Sequence, residues 1–448
     1  MNFKRDGESL VICNVKRSAV GQAGKSLSKM YSHEIANKVI ADVIESSGID
    51  KDKIDGVVSG EIGQSSKAPN VARVLAVQNE IPLDTPAITV ANNCVSGYEA
   101  IIEASRRILL GENDVMLVTG QESMSNFPIY FDKAAQNSKT ATSAKILKNW
   151  DSIKDDITVI DGVNEGLIDP VRDANMAETG EVAAQKVGLT KEDLDAYAHG
   201  SYSKALAAIE AGKYAPYITK IEHEKGVLEH DEFIMSKTSF VEKPERFAKA
   251  GAIFDMPPHT SIKGFYDKYG KWIGKDFKEG ETKAAVTLFN ACPRSDGAGA
   301  LILTTESKAK ELGLQIDAKI KSWGYAGVDP IYMGLGMAGA MKKALSNAEL
   351  KYDDISSFEI HEAFAATALG SMHVVTKEQD YDLVGRLEKG DVNRNGGTLA
   401  MGHPLGATGI RVAVNQIIAL KDQADSKYSM GTICAGGGVA GAIILEKA

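Results

Sequence analysis

The sequence predicts an α/β protein made of two repeated halves, and three observations carry that expectation. Helical apolar spacing alternates with short apolar strands at both ends of the chain, the pattern of a largely parallel sheet covered by helices. The N-terminal pattern recurs roughly 300 residues later. The middle of the chain follows neither copy.

Along the chain, Tyr31 to Ser47 carries Ile35, Val39, Ile40, Val43 and Ile44 at helical spacing. Lys51 to Lys53 turn the chain into a short strand over Ile54 to Ser59. Ala87 to Ala91 reads as a buried strand, Cys94 to Leu110 as a helix and Val115 to Thr119 as a further strand. A gapless shift of 301 lays Val39, Ile40, Val43, Ile44, Ile49, Ile54 and Val57 on Ala340, Met341, Ala344, Leu345, Leu350, Ile355 and Phe358, all apolar. A shift of 309 pairs Cys94 with His403, Gly97 with Gly406 and Ile101 with Ile410, and a strand near Ser429 to Ile433 answers Val115 to Thr119. Two copies of one unit imply pseudo-twofold halves packed together. Between them, residues 126–167 are polar and helix-prone, Asp193 to Ala211 is a helix, and 254–281 reads as a surface excursion. The expected division is an N-terminal half over 1–120 plus 246–300, an inserted cap over 121–245 and a C-terminal half over 301–448. Insertions on such a scaffold are where substrate contacts concentrate.

Composition narrows the class. The 448 residues are 44% hydrophobic and 25% charged, ordinary for a globular protein. A net charge of −9 argues against nucleic acid or an anionic membrane surface as partner. No stretch approaches the ~18 apolar residues of a membrane span, and the N-terminal segment lacks a signal-peptide core. A cytoplasmic location is expected. The four cysteines, Cys13, Cys94, Cys292 and Cys434, are scattered without a CxxC pair, so neither a zinc site nor a disulfide framework is expected. Cys13 reads as a core residue. Glycine, at 43 against 12 prolines, points to special backbone positions rather than to linkers.

Four segments carry side chains fit for chemistry. In AITVANNCVSGYEA, Cys94 follows a buried strand at an expected helix start, where unpaired amides and the helix dipole lower a thiol pKa. In NRNGGTLAMGHPLGATGIR, His403 is ringed by Gly396, Gly397, Gly402, Gly406 and Gly409. Imidazole is the natural acceptor of a thiol proton near neutral pH, and the repeat sets it opposite Cys94. In MGTICAGGGVAGAI a strand ends at Cys434, and the amides of Gly436 to Gly438 suit an oxyanion nest or a phosphate turn. In FEIHEAFAA a strand runs into His361 and Glu362, without the HExxH spacing of a zinc helix.

Together these segments resemble the thiolase family. NNCVSGYEAI looks like its N-x-C-x-S-G motif, TGQESMSNFP its G-x-E-S-M-S stretch, and FNACPRSDGAGA its N-A-S/T-x-x-x-D-G-A segment. EGLIDP with Asn175 and Met176 matches the start of its loop domain, and HEAF, GHPLGATG and CAGGG complete the set. The resemblance implies a five-layer α-β-α-β-α fold of two similar halves with an inserted loop domain. It implies Cys94 as the acyl-accepting nucleophile, His403 as its base and Cys434 as a second, acid/base cysteine. One oxyanion hole would use His403 and the HEAF segment through His361. The other would use the amides of Cys94 and Gly436, and Met176 and Phe364 would line the pantetheine path. The implied reaction cleaves 3-oxoacyl-CoA with CoA to acetyl-CoA and a shortened acyl-CoA, or runs in reverse as a Claisen condensation. CoA is then a substrate, and neither metal nor prosthetic group is implied. HEAF, with His361 where the commoner pattern has Asn, and Pro293 are similar to the degradative branch. Those members serve fatty-acid β-oxidation as β-subunits beside a hydratase/dehydrogenase α chain, and the family forms homodimers and homotetramers. The alternatives are a decarboxylating ketoacyl synthase, which lacks a second cysteine like Cys434, and a non-catalytic acyl-CoA or lipid-binding protein on the same scaffold.

Overall fold

The computed structural model describes residues 3–132, 151, 158–256 and 261–448. The first unit comprises β1 (Glu8–Ser18), α1 (Ser32–Ser47), β2 (Gly56–Gly60), β3 (Ala87–Val90), α2 (Ser96–Leu110) and β4 (Met116–Ser123). Between β4 and the return to the sheet lie β5 (Ile129–Asp132), β6 (Thr158–Asp161), α3 (Met176–Val187), α4 (Lys191–Glu210) and α5 (Ile262–Ile273). The chain returns to the first unit at β7 (Ser295–Thr305). The second unit comprises β8 (Ile316–Gly327), α6 (Met337–Ala348), β9 (Ser357–Ile360), α7 (Ala365–Glu378), α8 (Thr408–Asp422), β10 (Tyr428–Ala435) and β11 (Val439–Lys447).

One sheet runs in the order β9-β10-β11-β8-β1-β7-β4-β2-β3. Outward from the antiparallel β1–β8 junction, its two arms repeat: two antiparallel steps, then a parallel one. The repeat extends to single residues. Val57 pairs in parallel with Ala87, and its shifted equivalent Phe358 bridges in parallel to Val392. The 3-10 turn Lys51–Lys53 likewise returns as Tyr352–Asp354. The sheet is therefore mixed rather than largely parallel. The three-residue loop Gly436–Gly438 between β10 and β11 forces an antiparallel pair, since parallel strands need a long crossover.

α1 and α6 cover the outer faces, burying stripes such as Ile35, Val39, Ile40 and Val43 on α1. α2 and α8, equivalent in the repeat, pack on each other between the two arms and form the middle of five layers. α8 is buried from Thr408 to Leu420, as a helix enclosed on every side must be. The two helices meet almost backbone to backbone. A Cβ on Gly97 would lie 2.7 Å from the Gly406 carbonyl oxygen, and one on Gly409 would lie 2.2 Å from the Tyr98 nitrogen.

Two expectations for the middle of the chain change. Ile129–Asp132 and Thr158–Asp161 pair as an antiparallel ribbon where helix was expected; residues 133–150 and 152–157 of that helix-prone stretch lie outside the described residues. Within 254–281, expected as a surface excursion, residues 257–260 lie outside the described residues, and the rest packs against the protein. α5 buries Phe265, Tyr266, Tyr269 and Ile273 and is tied along α3, with Lys275 Nζ donating to the Gln185 carbonyl (3.0 Å) and Lys186 Nζ to the Trp272 carbonyl (3.0 Å). Its aromatic residues Phe265, Tyr266 and Tyr269 form one buried face with Ile273.

Candidate active site

The turn between β3 and α2 carries Cys94. Asn93 completes it in the left-handed region, φ 46°, which Asn tolerates better than most residues. Ser96 closes the turn: its hydroxyl accepts the Asn92 N–H (2.8 Å) and donates to the Asn93 carbonyl (2.7 Å). The helix itself begins at Ser96, two residues after the start expected at Cys94. Asn93 Nδ2 donates to the Gly436 carbonyl (2.8 Å), pinning the nucleophile turn to the β10–β11 hairpin. The backbone amides of Gly436 and of Cys94 itself lie close enough to the Cys94 sulfur to favour its thiolate.

β9 and β10, parallel neighbours, deliver His361 and Cys434 side by side. Cys434 Sγ lies 3.5 Å from His361 Nδ1. The His361 and His403 rings stand 4.4 Å apart between centroids. The segment from Ala291 to Arg294 stitches their loops together: Cys292 N–H donates to the Ala363 carbonyl (3.1 Å) and His403 N–H to the Pro293 carbonyl (3.2 Å). Thr408 Oγ1 lies 2.7 Å from His403 Nδ1 and donates its own proton to the Pro404 carbonyl (3.0 Å). A hydroxyl has one proton to give, so His403 Nδ1 carries the proton of the other bond. Nε2 is then the basic nitrogen, buried and without a hydrogen-bond partner.

Burial governs the protonation of the cluster. It pushes the Cys94 thiol up to about 11, although the Gly436 and Cys94 amides pull the other way. The expected lowering at a helix start is thus reversed: Cys94 sits outside the first helical turn, packed near Met124 and Leu405. Burial and the Arg411 cation bring His403 down to about 3. His361 is lowered well below the ordinary imidazole value by burial, His403 and Arg411. Burial also raises the thiols of Cys434 and Cys292, reinforced by nearby Cys94. At neutral pH the centre holds uncharged thiols and uncharged imidazoles.

These groups face a cavity of about 420 Å³ lined by Cys94, His403, Cys434, Cys292, Met176 and Phe364, among others, and opening outward at Leu288. Cys94, His403, Cys434, Met176 and Phe364 therefore meet as the sequence suggested. His361 is fully buried and does not line the cavity; it stands behind the wall, against Cys434 and His403. Gly436 lies in an adjoining compartment that it shares with Cys94.

Sequence reasoning missed Asn93, Thr408, Cys292 as a third thiol of the cavity, and Glu122. The Glu122 carboxylate accepts the amides of Gly63 (2.9 Å), Ile62 (3.2 Å) and Gly406 (3.2 Å), clamping two loops under the site. The ESMS stretch flagged its neighbourhood, but only the fold turns that carboxylate inward. Among the described residues no cluster of His, Cys, Asp and Glu is arranged to hold a metal ion, and no helix is long and apolar enough to cross a membrane.

Comparison with known proteins adds to the geometry. The family described as "Thiolase, N-terminal domain" matches residues 10–256, and "Thiolase, C-terminal domain" matches residues 314–447. An acetyl-CoA acetyltransferase of Cupriavidus necator is 33% identical over 440 residues, spanning 98% of this chain and 99% of that protein. Acetyl-CoA acetyltransferase 2 of Arabidopsis thaliana is 32% identical over 436 residues, spanning 97% and 96%. Human mitochondrial 3-ketoacyl-CoA thiolase, solved in complex with CoA, superposes with a TM-score of 0.82 at 27% identity over 98% of each chain. The acetyl-CoA acetyltransferase of Bacillus anthracis superposes with a TM-score of 0.80 at 29% identity, covering 98% of this chain and 99% of that one.

Proposed function

Since the chain belongs to the thiolase family, it is an acyltransferase of CoA thioesters, and we propose the following division of work among its residues. Cys94 Sγ attacks the C3 carbonyl of a 3-oxoacyl-CoA as its proton passes to His403 Nε2. The C2–C3 bond then breaks, and its electron pair becomes the enolate of acetyl-CoA, whose oxygen lies beside His403 and His361. The Cys434 thiol protonates C2, and acetyl-CoA leaves. The resulting Cys434 thiolate takes the thiol proton of a second CoA, whose sulfur attacks the acyl group on Cys94. The oxyanion of that step lies on the amides of Cys94 and Gly436. The Cys94 sulfur departs and recovers its proton from His403. This is double-displacement covalent catalysis, and each step reverses for condensation.

One observation carries this reading: the Cys94 and Cys434 thiols and the His403 imidazole, its Nε2 unpartnered, line one largely apolar cavity, with the His361 imidazole buried directly behind Cys434 and His403. A single nucleophile with one base would suffice for hydrolysis. A second thiol 3.5 Å from His361 suits a reaction that must also move a proton to and from carbon. Neither the decarboxylating synthase nor the non-catalytic binding protein gains support from this arrangement. The test is thiolysis of acetoacetyl-CoA by Cys94→Ser, expected to fall at least ~1,000-fold with no acyl label retained on the protein. Turnover near wild type would overturn the assignment.

Finer points are part of the same proposal. His361 in the HEAF form and Pro293 support a role in fatty-acid β-oxidation with a hydratase/dehydrogenase α chain as candidate partner, and a cytoplasmic location is part of the same proposal. A homodimer or homotetramer is supported by β3, an edge strand with Ile88 exposed that leads straight into the Cys94 turn. Light scattering on the purified chain reads the assembly. The division into two halves and a cap belongs here too, with its boundaries moved to strand ends, because β4 continues to Ser123 and β7 to Thr305.

A further inference from the structure

Arg411, on α8, is a buried cation without a counter-ion. It is 2% exposed and does not line the cavity. Nη2 donates to Thr398 Oγ1 (2.6 Å), Nη1 lies 3.9 Å from Met401 Sδ, and Nε has no hydrogen-bond partner. Among the described residues it makes no salt bridge. Arg17 shows the usual solution. It is as deeply buried, and its guanidinium grips both oxygens of Asp231 (2.7 and 2.8 Å). A buried charge left unpaired is costly and calls for an explanation.

Its place in the fold supplies one. Thr408, Arg411 and Asn415 follow at i, i+3 and i+7 and share one face of α8. All three hold the segment that ends in His403. Thr408 Oγ1 meets His403 Nδ1 (2.7 Å), Arg411 bonds Thr398, and Asn415 Nδ2 donates to the Gly396 carbonyl (3.2 Å). The charge reaches both imidazoles: burial first and then Arg411 lower His403, and Arg411 also lowers His361. The other ionisable groups around it do not cancel it. Burial raises Glu359 to about 8, so that carboxyl is mostly uncharged at neutral pH. Glu362 accepts from the Tyr197 and Ser201 hydroxyls, the Asn393 amide and the Leu399 N–H. Arg17 is neutralised by Asp231, and burial keeps Tyr214 protonated.

We propose that Arg411 is a positioning residue of the carbon–carbon step, its uncompensated charge acting from behind His361 and His403 to favour the enolate of acetyl-CoA. The inference rests on the reading of those imidazoles as the groups beside the enolate oxygen. In a buried, water-poor site a fixed charge acts over a longer range than in water. The same charge opposes the His403 imidazolium that forms when Cys94 gives up its proton. Arg411 therefore acts with opposite sign on the two halves of the reaction: it helps enolate formation and hinders acyl transfer. A clamp of purely structural worth would serve both alike.

Two exchange rates separate these cases. Exchange of the acetyl-CoA methyl hydrogens into D2O reads enolate formation. Exchange of labelled CoA into acetyl-CoA reads acyl transfer through Cys94 and needs no enolate. Arg411→Met is expected to slow the first ~10-fold or more and to slow the second by no more than ~3-fold. Arg411→Lys, which keeps the charge, is expected to hold the ratio of the two rates within ~3-fold of wild type. Thr398→Val removes the hydrogen bond and keeps the cation, and the same ratio is expected to stay unmoved. The ratio does not depend on the folded fraction, so a poorly folding variant still reports. Two rates that fall together in Arg411→Met, or a ratio that drops in Thr398→Val, would overturn the proposal. Absence of both exchanges in the wild type would remove the thiolase reading itself, a pattern distinct from either.

Discussion

Asn93 holds the nucleophile turn in two ways at once. Its backbone sits at φ 46°, and its amide grips the Gly436 carbonyl. Asn93→Ala gives up the hydrogen bond and pays for the left-handed backbone, so deacylation by CoA is expected to slow ~10-fold or more. Asn93→Gly keeps the backbone and is expected to recover part of the loss, as read by single-turnover kinetics; full recovery would assign the whole effect to backbone conformation. Cys94 supports a second prediction. Because burial pushes its thiol up to about 11 and His403 down to about 3, no thiolate–imidazolium pair forms at neutral pH. Alkylation of Cys94 by iodoacetamide is expected to rise ~10-fold per pH unit from about pH 6 to 9. A plateau below about pH 8 would instead reveal a preformed thiolate. Cys94, His403 and Cys434 were legible in the sequence because reactive side chains are rare and these stand in glycine-rich settings. Asn93 and Thr408 were not, since Asn and Thr are common and their partners, Gly436 and His403, are set by the fold.

At the scale of elements, the α2–α8 contact depends on glycine at both helix starts. Gly409→Ala would drive a Cβ to 2.2 Å from the Tyr98 nitrogen, against backbone that cannot turn aside. We expect a loss of ~3 kcal/mol or more, or no soluble protein, in denaturant titrations. Gly200, within α4, has nothing within 4 Å of its Cβ position, and Gly200→Ala is expected to gain ~0.5–1 kcal/mol. Equal behaviour of the two variants would mean that the helices separate readily. Helices and strands of the repeat were readable to within a few residues, because a buried apolar face fixes both type and register. The ribbon of β5 and β6 was not, since its exposed Ile129, Tyr130 and Val159 give no inward face to read. α5 escaped for another reason: its buried face is made of aromatics spaced among lysines and glycines.

For the whole molecule, buried ionisable groups set the pH range of stability. Glu61 and Glu122 lie buried near each other beneath the site, and burial raises both above the ordinary carboxyl value of 4.5. Their share of stability is therefore complete below about that pH and is lost as pH rises through the raised values. The buried histidines act with the opposite sign: with folded values below 6.5, their share is complete above it and is lost as pH falls. Glu61→Gln is expected to lessen the fall in Tm between pH 6 and pH 8.5 by on the order of 3 °C, as read by calorimetry; an unchanged fall would clear Glu61 of that role. The pseudo-twofold plan was legible because both copies solve the same packing problem, whereas the mixed strand directions depend on which strands the loops join. The same plan has a consequence in time. His403 follows Cys94 by 309 residues, so at roughly 5–20 residues per second of synthesis the thiol leaves the ribosome about 15–60 s before its base exists. Throughout that interval the nascent chain carries an ordinary cysteine, and its chemistry switches on only when the last domain docks.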